Sequence, residues 1–182
     1  MLLLWAVGMC SVANAQRSYS IIQAGANLGF ANEGYKGAFS GFAAHFIFGK
    51  NFNDRAYLGF GLGNEMFKGD YRTNDPHEPE QQTWKYDYNL FPLFVDGRLP
   101  FGLIGENGHI GVLANAGYAP AISQQYDRGF LFKGGFFYLI ESPKFTNFTV
   151  SLAYGYQQLT KNYFRKDFQH QHFALSVGLM FK

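Results

Sequence analysis

Residues 147–182 read NFTVSLAYGYQQLTKNYFRKDFQHQHFALSVGLMFK, from Asn147 to Lys182. Large apolar side chains take every second position, first Phe148, Val150, Leu152, Tyr154 and Tyr156. Between them stand Thr149, Ser151, Ala153, Gly155 and Gln157. After a polar, aromatic stretch at Lys161–Phe168 the alternation returns with Phe173, Leu175, Val177, Leu179 and Phe181, against His172, Ala174, Ser176, Gly178 and Met180. Period two means strand, and about 9–11 residues is the length a tilted strand needs to cross a bilayer. The pair reads as the closing hairpin of a membrane barrel.

The second face decides which way the sheet looks. A half-buried soluble strand carries Lys, Glu and Thr on its wet side, whereas this face carries Gly, Ala, Ser and a few uncharged polar residues. A narrow lumen filled by side chains selects that mixture, and about eight strands make such a lumen. The bulky face is therefore expected to point out to lipid.

Composition agrees. Of 182 residues, 19% are aromatic and only 15% charged, against about 25% charged in ordinary globular chains. The 22 glycines follow no collagen period. A net charge of +2 without a basic cluster gives no case for nucleic acid. No internal run approaches the roughly 18 apolar residues of a membrane helix. Residues 1–15 read as a secretory signal, with an apolar run from Leu2 to Val7 and Ala13-Asn14-Ala15 before Gln16, although no Lys or Arg opens it. Met9 before Cys10 argues against a lipoprotein signal. With Cys10 removed, residues 16–182 form one barrel domain without a thiol.

Working back from the closing hairpin, alternation also marks Ser18–Phe30, Phe39–Gly49, Ala56–Lys68, Tyr86–Phe101, Gly108–Tyr118 and Phe130–Glu141. With the last two runs, the fold class is all-β: an eight-stranded antiparallel up-and-down transmembrane β-barrel. Pro92 interrupts the fourth strand and predicts a bulge or register irregularity there. Asp70–Lys85, Ala121–Gly129 and Lys161–Phe168 read as polar loops at one end, with shorter turns at the other. Aromatics cluster at both strand ends, as two membrane interfaces require. Phe67, Tyr71, Trp84, Tyr86, Tyr88, Tyr118 and Phe130 fall at the long-loop end; Tyr19, Phe94, Phe148 and Phe181 fall at the other. Trp84, Tyr86, Tyr118, Phe148 and Phe181 are taken as the interface aromatics.

The fourth strand, Asn89-Leu90-Phe91-Pro92-Leu93-Phe94-Val95-Asp96-Gly97-Arg98, resembles the proline-centred strand of the PorT-like, OmpX-like outer-membrane β-barrels of Bacteroidota. The resemblance implies an eight-stranded barrel in the outer membrane and no established catalysis. One departure is Lys182, which follows Phe181 where such chains end on an aromatic.

The motifs that invite chemistry have plainer accounts. Gly59-Phe60-Gly61-Leu62-Gly63 lacks the nucleotide-loop spacing and lies on one strand face. His170 and His172 share a face, but no third ligand stands at a fixed spacing. His77-Glu78-Pro79-Glu80 reads as solvated loop. No G-x-S-x-G nucleophile motif occurs. His45, Glu65, Lys133 and His172 are assigned to the polar lumen, with Glu65 and Lys133 as an ion pair, because buried charges require partners. No catalytic residue, metal or cofactor is expected. The expected partners are outer-membrane lipid, the barrel-assembly machinery during insertion and an unidentified surface ligand, with the barrel a monomer. Two alternatives stand beside this anchoring role: a lipid A-modifying enzyme, and a soluble lipocalin-like barrel holding an apolar ligand with its bulky face inward.

Overall fold

The computed structural model describes residues 16–73, 82–143, 146–160 and 167–182. The signal-like leader with Cys10, the His77–Glu80 stretch, and Phe145, Tyr163 and Phe164 lie outside the described residues.

The strands are β1 (Gln16–Asn32), β2 (Tyr35–Lys36), β3 (Ser40–Phe52), β4 (Tyr57–Thr73), β5 (Trp84–Leu90), β6 (Leu93–Ile104), β7 (Gly108–Ala119), β8 (Gly129–Ile140), β9 (Thr146–Thr160) and β10 (Asp167–Phe181). All ladders between them are antiparallel, and β10 pairs with β1, so the sheet closes on itself. Short β2 lies within the first connection. β5 and β6 are two halves of one crossing, which makes the ring eight-stranded. Closure removes the free edges that an open sheet would expose.

Pro92 splits β5 from β6 because it brings no N–H to the ladder. The expected slip does not occur. Leu62 opposes Leu93 and Glu65 opposes Leu90, so the same register continues across the gap. The register shifts fall elsewhere, between Gly29 and Ala31 on β1 and between Pro100 and Gly102 on β6. At one tight turn Asn53 and Asp54 both adopt positive φ, 54° and 58°, the geometry that suits a two-residue hairpin turn.

The outward face is the bulky one. Ile22, Phe46, Leu58, Val95, Leu152 and Leu175 are all exposed. Asn147, Thr149, Ser151, Ala153 and Gly155 of β9 are buried inside. A lipocalin-like interior, which needs Phe46, Leu152 and Leu175 at the centre, is thereby overturned.

The interior is less uniform than small residues alone would make it. Toward the short-turn end, Tyr19, Ile21, Ile47, Tyr57, Phe137 and Met180 form an apolar plug. At the other end Phe39, Phe67, Tyr71, Tyr86, Leu159 and Phe168 form a second. In the second plug Phe39 stacks on Tyr86 at 4.2 Å, and Phe168 meets Phe39 edge-on at 5.3 Å. Inward glycines make room for these rings; a Cβ on Gly61 would lie 2.3 Å from Phe94 Cζ.

Three loop expectations change as well, the smallest at Asp167-Phe168, which open β10 instead of ending a loop. Asp70–Thr73 and Trp84-Lys85 are not loop but strand, with Asp70 opposite Lys85 and Tyr71 opposite Trp84, so β4 and β5 run on past the ring as a ribbon. Part of the 121–129 segment is tied down. Asn89 N–H donates to the Gln125 carbonyl at 3.0 Å, Asp127 N–H donates to the Asn89 carbonyl at 2.9 Å, and Tyr86 donates to Asp127 at 2.6 Å.

Candidate functional site: a closed polar interior

Strand periodicity sends alternate residues of all eight crossings into one narrow space, where they meet across the ring. Glu65 is at its centre, only 1% exposed. Lys133 Nζ donates to its Oε1 at 2.6 Å, and Asn27 donates to Oε2 at 3.2 Å. His45 Nε2 lies 2.9 Å from Oε1. A buried carboxylate survives when its lone pairs are taken up this fully.

A second charged pair lies further along. Arg98 Nε donates to Asp96 Oδ2 at 3.0 Å, Nη2 donates to Gln23 Oε1 at 3.1 Å, and Nη1 reaches Thr149 Oγ1 at 3.4 Å. The guanidinium also stands 5.7 Å from the Phe137 ring centroid, and Tyr19 OH reaches Asp96 Oδ2 at 3.5 Å. Gln23 links the two pairs. A guanidinium only donates, so it holds the Gln23 oxygen and leaves the amide nitrogen facing His45 Nδ1 at 3.2 Å. That bond makes Nδ1 an acceptor and leaves the His45 proton on Nε2, where Glu65 accepts it. One chain of bonds thus runs from Tyr19 through Asp96, Arg98, Gln23, His45 and Glu65 to Lys133.

This network closes the lumen. The cavity it lines, with Asn115, Ser151 and Ser176, is about 30 Å³, room for one or two waters. Ser151 and Ser176 hydrogen-bond to each other at 2.7 Å. Among the described residues no hydrogen bond joins a serine to a histidine.

His170 and His172 are fully buried under the outer plug, stacked at 5.3 Å with planes 16° apart. Near-parallel rings do not aim their lone pairs at one point, as a shared metal ligand set requires. Asn32 Oδ1 holds His170 Nδ1 at 2.9 Å. Among the described residues His170 Nε2, both nitrogens of His172 and Gln157 Oε1 find no hydrogen-bond partner, and the edge of Phe67 packs against both rings.

Of the residues assigned to the lumen, His45, Glu65 and Lys133 are joined by hydrogen bonds, while His172, buried on the same inner face across Gly155 from Lys133, packs against Phe67 and His170. Asp96 and Arg98 were missed, although their shared parity in the Pro92 strand was the signal. Among the interface aromatics, Tyr118, Phe148 and Phe181 stand on the outward face; Tyr118 packs on Phe130 at 5.1 Å. Tyr86 does not, being 2% exposed inside the outer plug. Trp84 is exposed at the rim, opposite inward-facing Tyr71 rather than on the outward apolar surface. Phe67, Tyr71, Tyr19 and Phe94 also turn inward. Location at a strand end does not choose a face.

No family model and no curated protein matches the chain. Among solved structures it is similar to Neisserial surface protein A (NspA), with a TM-score of 0.53 and 12% identity, covering 91% of this chain and 99% of that one. At that identity the likeness is one of fold, and it shows what the ladders show: a small eight-stranded antiparallel barrel.

Proposed function

We propose that the protein is a small outer-membrane β-barrel that anchors a rim of outer loops and ribbons for surface interaction, without a general pore and without catalysis. The observation that carries this is the outward apolar surface. It includes Phe42 at 67% exposure, Phe136 at 58% and Leu152 at 54%, and it continues around the ring through Val112, Phe132 and Val177. A soluble protein rarely exposes a contiguous apolar patch larger than a few hundred Å², and here the hydrocarbon of a bilayer supplies the cover. The connections support the orientation: residues 53–56, 105–107 and 141–145 are short, whereas 33–39, 74–83 and 120–128 are longer and belong outside.

In this reading residues 1–15 direct export and are removed, and the barrel-assembly machinery inserts the rest as a monomer. Kinship with the PorT-like barrels rests on the Pro92 strand. The closed polar interior acts as a strut that keeps the lumen shut while the rim meets its ligand. The test has two parts. The purified chain in lipid vesicles migrates as a compact band on a denaturing gel when unheated and shifts on boiling; a single band insensitive to boiling, with no flotation on vesicles, overturns the membrane reading. Replacing residues 74–83, 121–128 and 161–166 together with short Gly-Ser turns leaves insertion intact and abolishes surface binding of whole cells to host or envelope ligands; unchanged binding overturns the display role.

A further inference from the structure

Above the apolar surface, the ribbon of β4 and β5 with β2 carries three cross-strand pairs on its outward side: Lys68 with Asp87, Asp70 with Lys85, and Arg72 with Lys36. The first is an exposed ion pair at 3.0 Å. The third is unlike the others. It sets two cations directly opposite one another, both exposed, and among the described residues neither has an ion-pair partner. Like charges so placed repel. An anion held between the two would relieve that repulsion, and a planar guanidinium beside an ammonium suits phosphate oxygens.

Directly below, a largely apolar groove on β1, β3 and β4 is lined by Ala24, Ala26, Phe42, Ala44 and Met66, with Asn64 at its side. Met66 precedes Lys68 on the outward row, so groove and cations follow one another along β4. Accepting the membrane reading above, we infer that this face binds a phosphorylated glycolipid, its acyl chain in the groove and its phosphate between Arg72 and Lys36. Height decides between glycolipid and simple phospholipid. From Lys68 to Arg72 the strand climbs four residues, about 10 Å after a tilt near 40°. Lys68 is the first charge on this row above the apolar surface, so a headgroup layer of about 5–8 Å keeps an ordinary phosphate below Arg72. A headgroup built of phosphorylated sugars reaches Arg72 and Lys36.

The experiment uses the full barrel in neutral phosphatidylcholine nanodiscs, titrated with diphosphorylated lipid A and read by native mass spectrometry. Controls are the same lipid dephosphorylated, phosphatidylglycerol, and pyrophosphate in solution. Lipid A is expected to bind selectively, and K36Q/R72Q to weaken it about thirty-fold, since each cation near a membrane surface contributes roughly fivefold. Lys36→Glu is the second variant: it gives Arg72 a partner, so the barrel keeps its heat-shifted band while lipid A binding falls. Equal binding of the dephosphorylated lipid, of phosphatidylglycerol or of free pyrophosphate overturns the proposal, as does full binding by K36Q/R72Q. Failure to enter the nanodisc sinks the membrane reading instead, whereas entry without selective binding sinks this inference alone.

Discussion

Glu65, buried at the centre of the ring, accepts from Lys133, His45 and Asn27 at once. Removing one member of a buried pair strands the other charge. Lys133→Met is therefore expected to destabilise the barrel by about 3–5 kcal/mol, measured by urea unfolding in detergent and read from the gel-shifted band. Glu65→Leu combined with Lys133→Met removes both charges and recovers most of that loss; equal instability of single and double variants would count against the pair. Space at the residue scale is as specific as charge. The atoms nearest a Cβ on Gly61 belong to the Phe94 ring alone. Gly61→Ala should cost about 1–3 kcal/mol by overpacking, and Phe94→Leu in the same chain should restore part of it. Additive losses in the double variant would show that the two positions do not touch.

Turns and strand ends are joined at the short-turn end by the last residue. Lys182 Nζ lies 2.7 Å from Asp54 Oδ1 and also meets Glu141, which ties the β3–β4 turn and the β8 end to the C-terminus. Burial alone would raise the Asp54 carboxyl, but hydrogen bonds from Lys182, Tyr57 and Asn51 outweigh it and hold the group down to about 2. Burial alone would lower the Lys182 ammonium, but its hydrogen bonds with Asp54, Glu141 and Tyr57 outweigh that and push it up. A depressed carboxyl adds stability above its unfolded value, 3.8, and loses it as pH falls through about 2. The wild type should accordingly lose more urea resistance between pH 5 and pH 2 than Asp54→Asn, and parallel curves would show the clamp adds nothing. The side chain of Asp54 is half exposed, so the effect is modest and falls with salt. At the same scale, Pro92 interrupts a ladder without moving it, because the pairs on either side share one register.

The ring as a whole places its bulky side chains outward and seals its centre twice, with aromatic plugs around a hydrogen-bonded core. Leu152, opposite Leu175 and beside Phe136, stands in the outward surface well away from either end of β9. Leu152→Arg is expected to reduce folding into vesicles by about 2–4 kcal/mol, whereas Gln158→Arg near the rim costs about 0–1. Equal costs at the two depths, measured as folded fraction on unheated gels, would contradict a bilayer around this face. The strand order, the closing β1–β10 ladder and the outward face were legible because period two is a local property of the chain. So was the Glu65–Lys133 pairing, once each charge was placed on an inner face. The reading of the aromatics was not. Tyr86, Tyr71 and Phe94 stand near strand ends where either interface or plug is chemically acceptable, and only parity marks them as inward, with Asp96 and Arg98 for Tyr86 and Phe94 and with Glu65 for Tyr71.

The alternation of side chains by itself determined that this chain makes eight crossings with greasy flanks outside, since each strand's two faces are written in neighbouring residues. Beyond the Glu65–Lys133 pair, which interior side chains meet was decided by tertiary structure. Phe39, Tyr86 and Phe168 come from three distant segments, and Arg98 meets Gln23 and Thr149 only after the sheet has closed. Such partners are set by shear and closure of the whole ring, quantities that no single stretch of sequence contains.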